Sequence, residues 1–132
     1  MTDQVTEISP LHLITASETA GTGFADVSDE AIGTSLVARI QYSDALQASG
    51  SGVWTFTVQL SYNAGTTWTT IATGAAITLT ATAQDGEQAL SFSLESISAS
   101  GQTFVQVLAT LTGTPVTPTL TYRADLIGGP VV

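Results

Sequence analysis

One histidine, eleven carboxylates and a set of aromatic rings are the side chains of this chain that could do chemistry. His12 lies between Leu11 and Leu13, a pattern that predicts an edge strand close to the N-terminus. Nucleophilic catalysis of the Ser-His-Asp kind needs an imidazole oriented against a serine at hydrogen-bond distance. No G-x-S-x-G elbow accompanies His12, which therefore reads as a surface or partly covered histidine. Paired carboxylates can hydrolyse glycosides. Here Asp26, Asp29, Glu30, Asp44, Asp85 and Glu87 fall mostly in predicted loops, while Glu95 and Asp125 fall on the outward faces of predicted strands. No spacing selects a pair, so their expected role is solvation and no catalytic residue is assigned. Calcium takes about six to eight oxygen ligands. Asp26, Asp29 and Glu30, or Asp85 and Glu87, would be the donors, but the D-x-D-x-D-G spacing is absent and no metal or cofactor site is assigned. Trp54, Trp68, Tyr42, Tyr62 and Tyr122 would form a sugar-stacking platform if exposed and coplanar. All but Trp68 fall on apolar strand faces and are assigned to the core, which leaves Trp68 as the ring to watch.

The stretch "SYNAGTTW" at 61–68 is similar to the Asp-box of sialidases and other β-propeller proteins, S-x-D-x-G-x-T-W. Ser61, Gly65, Thr67 and Trp68 fall on that pattern, and Asn63 stands where the family has Asp. In those families the box is a structural hairpin repeated over several blades. It occurs once here, in a chain too short for a propeller. Two arginines cannot make the cluster that a sialidase uses on its substrate carboxylate. The stretch is read as a turn closed by Asn63 and Gly65, both residue types that tolerate positive φ, with Thr67 and Trp68 opening the return strand.

The elements around it follow a period of two. In "VWTFTVQLSY", Trp54, Phe56, Val58, Leu60 and Tyr62 share one face, and Thr55, Thr57, Gln59 and Ser61 share the other. Leu36 to Tyr42, Leu90 to Leu94 and Leu120 to Leu126 alternate in the same way, and shorter strands are predicted at 68–72 and 77–81. Thr-rich, β-branched composition supports them. "ASGSG" at 48–52, "NAG" at 63–65 and "QDGE" at 84–87 read as turns, and the two prolines of "TGTPVTP" break a strand or place it at an edge. "FVQVLATL" at 104–111 is apolar on both faces. It is either covered twice within the monomer or turns Val105, Val107 and Leu111 toward a partner. Evenly spaced strands with no helix between them predict an all-β fold: a single antiparallel β-sandwich, jelly-roll-like. An extended, flexible arm is expected over residues 1–10, the sandwich over 11–127 and a tail over 128–132, with Val5 and Ile8 as candidate arm contacts. No internal repeat is found.

Composition narrows the function. A length of 132 residues holds one core. There is no cysteine, hence no disulfide framework and no thiolate metal site. No apolar run approaches the roughly 20 residues that span a membrane, and "MTDQVTEISP" lacks the regions of a signal peptide, so synthesis in a cytoplasm is expected. Against eleven acidic residues stand only Arg39 and Arg123, for a net charge of −9. Nucleic-acid binders neutralise phosphates with Lys and Arg, so a nucleic-acid partner is excluded, and anionic lipid with it.

The order "LITAS…GTGF", "LVARIQYSDAL", "WTFTVQLSYNAGTTWTTIAT", "QTFVQVLATLTG", "PTLTYRADL" resembles small proteins encoded among the structural genes of tailed bacteriophages, over most of the chain from about residue 11. The resemblance implies a non-enzymatic virion component: a capsid decoration (cement) protein on the outer capsid surface, with the major capsid protein as partner and a homotrimer as the oligomer. It implies no catalytic residue and no cofactor. A head-fibre or tail component is the near neighbour. A carbohydrate-binding jelly-roll module, with one calcium ion, is the alternative from another class, and an enzyme ranks third.

Overall fold

The computed structural model describes residues 5–28, 30, 33–94 and 102–128. Eleven strands occur among them: β1 (Val5–Ile14), β2 (Ala25–Asp26), β3 (Ser35–Leu46), β4 (Ser49–Gly50), β5 (Val53–Ser61), β6 (Thr69–Thr73), β7 (Ile77–Thr78), β8 (Gln84–Ser93), β9 (Phe104–Thr112), β10 (Pro115–Val116) and β11 (Thr119–Ile127). All pairings are antiparallel. One sheet runs β1-β11-β3-β8. The other runs β2-β9-β5-β6, with β7 added to β5, and β4 and β10 form a small ribbon at one end. Apart from the β4–β10 ribbon, the chain passes from sheet to sheet in the order β1, β2, β3, β5, β8, β9, β11, with β6 and β7 staying beside β5, the double-sheet jelly-roll arrangement. The chain is thus an antiparallel, jelly-roll-like β-sandwich.

The core is what the period of two required. Trp54, Phe56, Val58 and Leu60 of β5 and Val105, Val107 and Ala109 of β9 point inward from one sheet. Leu36, Ala38 and Ile40 of β3 and Leu120, Tyr122, Ala124 and Leu126 of β11 point inward from the other. The Phe56 ring meets Tyr122 edge-on at 5.0 Å, and the Trp54 indole N–H donates to the Thr119 carbonyl at 3.2 Å, so the buried ring has no orphaned donor.

Two expectations change and one open alternative is decided. The flexible arm of 1–10 is a strand from Val5 onward: β1 pairs with β11 from Val5↔Ile127 to Ile14↔Leu120, and Ile8 is core. Residues 1–4 lie outside the described residues, as do 129–132 of the expected tail. "QDGE" is the start of β8 and not a turn, with Gly86 paired to Tyr42. A Cβ on Gly86 would sit 2.6 Å from the Tyr42 hydroxyl, so only glycine lets that ring lie over the strand. Finally, both faces of β9 are covered within the chain from Val105 to Ala109, while Thr110 and Thr112 stay exposed. Val105, Val107 and Ala109 face the core. Residues 17–26 close the other side: β2 pairs at Val105 and Phe104, Phe24 stacks on Phe104 at 4.3 Å, and the Ser17 hydroxyl accepts from the Leu111 N–H at 2.7 Å.

Candidate functional site

The turn "SYNAGTTW" builds the most site-like feature of the molecule. The Ser61 hydroxyl accepts from the N–H groups of Asn63 (3.3 Å) and Gly65 (2.8 Å). The Asn63 carboxamide oxygen accepts from the Thr67 N–H at 2.9 Å, and its nitrogen donates to the Thr67 hydroxyl at 2.9 Å. The turn reading is right, but the positive φ values fall on Ala64 (59°) and Gly65 (85°) and not on Asn63, which works through its side chain. This cross-bracing closes the hairpin and delivers the return strand β6, while Tyr62 packs partly buried against the core. Tyr62, Thr69, Thr70, Ile71, Phe92 and Ser93 then line a groove of about 410 Å³ between β6 and β8, the edges of the two sheets. Trp68 is half-buried, and a Cβ on Gly65 would lie 3.5 Å from its ring and 3.8 Å from Phe104.

A chain of amides leads to that groove across the outer face of the second sheet. The Gly21 N–H donates to Gln106 Oε1 (3.1 Å), Gln106 Nε2 donates to Gln59 Oε1 (2.7 Å), and Gln59 Nε2 donates to Thr70 Oγ1 (3.2 Å). Around it lie Thr55, Thr57, Thr73, Thr110 and Thr112. Strands β5, β6, β7 and β9 contain no charged residue. The strand charges collect on the first sheet, where Arg39 and Arg123 approach the buried Asp125 at 3.6 and 3.2 Å and Glu87 lies 3.7 Å from Arg39.

His12 is partly covered, as its sequence context suggests, and it sits in a bonded cluster. Glu18 and His12 have side chains only 8% and 17% exposed and lie 3.2 Å apart. Glu18 Oε1 accepts from the Ala109 N–H at 3.0 Å and from the Tyr122 hydroxyl; Oε2 accepts from Thr22 at 3.2 Å. Thr22 in turn lies 3.0 Å from His12 Nε2. Burial first, then the Glu18 hydrogen bond and charge, push the Tyr122 phenol far above its ordinary value of 10.0. Ser9, His12 and Glu18 have the residue types of a catalytic triad, yet the geometry denies that chemistry. His12 Nδ1 lies 2.7 Å from the Pro10 carbonyl, which can only accept, so Nδ1 carries a hydrogen. It cannot take a proton from Ser9, whose hydroxyl is 3.4 Å away and fully buried. The cluster ties β1 and β11 of one sheet to β9 of the other. Sequence reasoning missed it because Glu18 lies in an aperiodic segment and Tyr122 is far along the chain.

The expected contact residues are dispersed. Val105 and Val107 are fully buried and cannot meet a partner, and Leu111 is half-buried. Ile8 is likewise core, whereas Val5 is 60% exposed and shares β1 with the exposed Leu11 (65%) and Leu13 (62%). Among the described residues no group of three or more His, Asp or Glu could hold a metal. Asp26 accepts locally from the Ser28 N–H at 2.9 Å, while Asp29 and Glu95 lie outside the described residues.

No protein-family model matches the chain, and no curated protein sequence matches it. Solved structures do. A chain of infectious bursal disease virus, Gt strain, superposes with a TM-score of 0.55 at 14% identity, over 96% of this chain and 32% of that one. The Gx strain gives 0.53 at 13% identity, over 96% and 31%. This chain therefore spans about a third of the viral chains it matches. The CBM22-1 xylan-binding domain of Paenibacillus barcinonensis Xyn10C gives 0.46 at 13% identity, over 97% and 87%. At such identities the viral likeness shows the fold: a jelly-roll β-sandwich of a kind that a virus also uses.

Proposed function

We propose that the chain is a non-enzymatic virion structural protein: a capsid decoration (cement) protein of a tailed phage, seated on the outer capsid surface and stapling neighbouring subunits of the major capsid protein. The observation that carries this reading is the uncharged outer face of β5, β6 and β9 in a chain of net charge −9. Charged groups are depleted from the cores of protein interfaces because their desolvation is costly. A face of threonines and mutually bonded glutamines can be covered without that cost. The acidic remainder repels packaged DNA and stays in solvent. The viral fold likeness is compatible with a particle component.

The trimer expected from β9 loses that strand as its contact; Val5, Leu11 and Leu13 on β1 take its place. Co-sedimentation with the capsids of the phage that encodes the chain tests the reading. Saturable binding at a fixed number of copies per capsid subunit, with a trimeric mass in solution or on the particle, is the expected result. Failure to sediment with capsids overturns the decoration role. A monomeric mass in both settings overturns the trimer alone. The carbohydrate-binding alternative is favoured by a separate observation, the hydroxyl-lined groove.

A further inference from the structure

We infer that the groove between β6 and β8 binds a neutral saccharide. This goes beyond the decoration role and does not depend on it. The volume of about 410 Å³ lies within the range of roughly 300–1,000 Å³ that small-ligand sites occupy. The lining chemistry selects the class. Of the six described lining residues, Tyr62, Thr69, Thr70 and Ser93 carry hydroxyls, and Ile71 and Phe92 are apolar. None is charged. An anion finds no cation there, because both arginines are engaged with Asp125 on the first sheet. A metal ion finds no carboxylate among the described lining residues. What remains is a ligand that is uncharged, dense in hydroxyls and apolar on its ring faces.

The hydrogen-bonding state of the groove points the same way. No side-chain hydrogen bond is made by Tyr62, Thr69 or Ser93 among the described residues. Their hydroxyls each remain able to donate and accept. Thr70 differs, because its oxygen already accepts from Gln59 at the end of the chain that starts at the Gly21 N–H. Every bond in that chain donates toward the groove, and serial hydrogen bonds polarise one another. Thr70 is thereby set to donate its own proton to a sugar oxygen. Tyr62 supplies the ring on which a pyranose can rest, and its packing against the core holds it in place before the ligand arrives. The hairpin is therefore more than a turn, since both of its flanks furnish the groove.

Backbone-amide chemical shifts of the full chain report directly on the site. The probes are cellohexaose, xylohexaose and mannohexaose, each at up to about 10 mM, with sialyllactose as the charged control. At least one neutral hexaose should shift Tyr62, Thr69–Ile71 and Ser93, with a Kd of about 1 mM or tighter, and sialyllactose should not. Tyr62→Ala should weaken binding about tenfold or more. Tyr62→Phe, which keeps the packing, and Thr70→Val, which removes the donor, should each weaken it about threefold, or about 0.7 kcal/mol. No shift with any hexaose overturns the inference, as do shifts elsewhere on the molecule, equal binding of sialyllactose, or unchanged affinity in Tyr62→Phe and Thr70→Val together. None of these outcomes alters capsid co-sedimentation, so the two readings fail separately.

Discussion

The two sheets share one core and differ almost completely outside it. The β1-β11-β3-β8 sheet carries Glu7, His12, Arg39, Asp44, Asp85, Glu87, Arg123 and Asp125, whereas the other carries Asp26 alone, at its margin. On the first sheet both arginines are answered by Asp125. On the second, Gln106, Gln59 and Thr70 are bonded to one another, and the neutral threonines of β5 and β9 lie around them. A charged face costs more to cover than a neutral one. The partition of charge therefore divides the molecule into a charged side and a neutral side, and the proposed decoration role makes the neutral side the capsid contact.

The largest effect expected from breaking the comparison lies where the sheets are alike. Trp54 is fully buried mid-strand on β5, and Trp54→Ala should cost about 3–5 kcal/mol and leave the domain largely unfolded. A melting temperature within a few degrees of the parent would show that the neutral sheet does not depend on its inner face. Ile8 makes the same test on the charged sheet. It is fully buried within a segment that composition alone would call an arm, and Ile8→Ala should cost about 3 kcal/mol in denaturant unfolding. An unchanged midpoint would return residues 5–10 to the arm.

Tyr122 sharpens the comparison at the seam, because its hydroxyl joins β11 to Glu18, which holds β9. Its phenol is raised above the ordinary 10.0 by burial and by Glu18. The stability linked to it is therefore complete below pH about 10. It is lost as pH rises further, since the unfolded chain releases the proton there and the folded chain keeps it. Unfolding free energy should fall by about 1.4 kcal/mol per pH unit above 10 from this group. Tyr122→Phe should cost about 1–3 kcal/mol near neutrality and abolish that share of the alkaline slope. Parallel alkaline slopes in parent and variant would contradict the assignment.

Much of this was legible in the chain, for identifiable reasons. Strand β5 shows an unbroken period of two, so its faces, and the core with them, could be read directly. β1 could not, because its pairing shifts between Glu7 and Ser9 and again between Ser9 and His12. Those bulges put Ile8 and Ser9 inside together and destroy the alternation. The two-faced pattern of β9 was visible, but its cover comes from residues 17–26, which have no period to read. There Gly23 matters, since a Cβ on it would lie 2.6 Å from the Ile8 carbonyl oxygen. The Glu18 cluster left one trace, the nearness of Ser17, Glu18 and Thr22 to the single histidine. The groove left none, because Phe92 and Ser93 meet Tyr62 and β6 only across the two sheets.

The claim that the neutral sheet is the contact side is tested most directly by placing the same new charge on each sheet and measuring capsid affinity. Thr110 on β9 and Ser91 on β8 are both exposed strand residues. Thr110→Glu should weaken capsid binding about tenfold or more, equivalent to about 1.4 kcal/mol, while Ser91→Glu leaves it within about twofold. The reverse ranking, or equal affinity for both variants and the parent, would contradict the account.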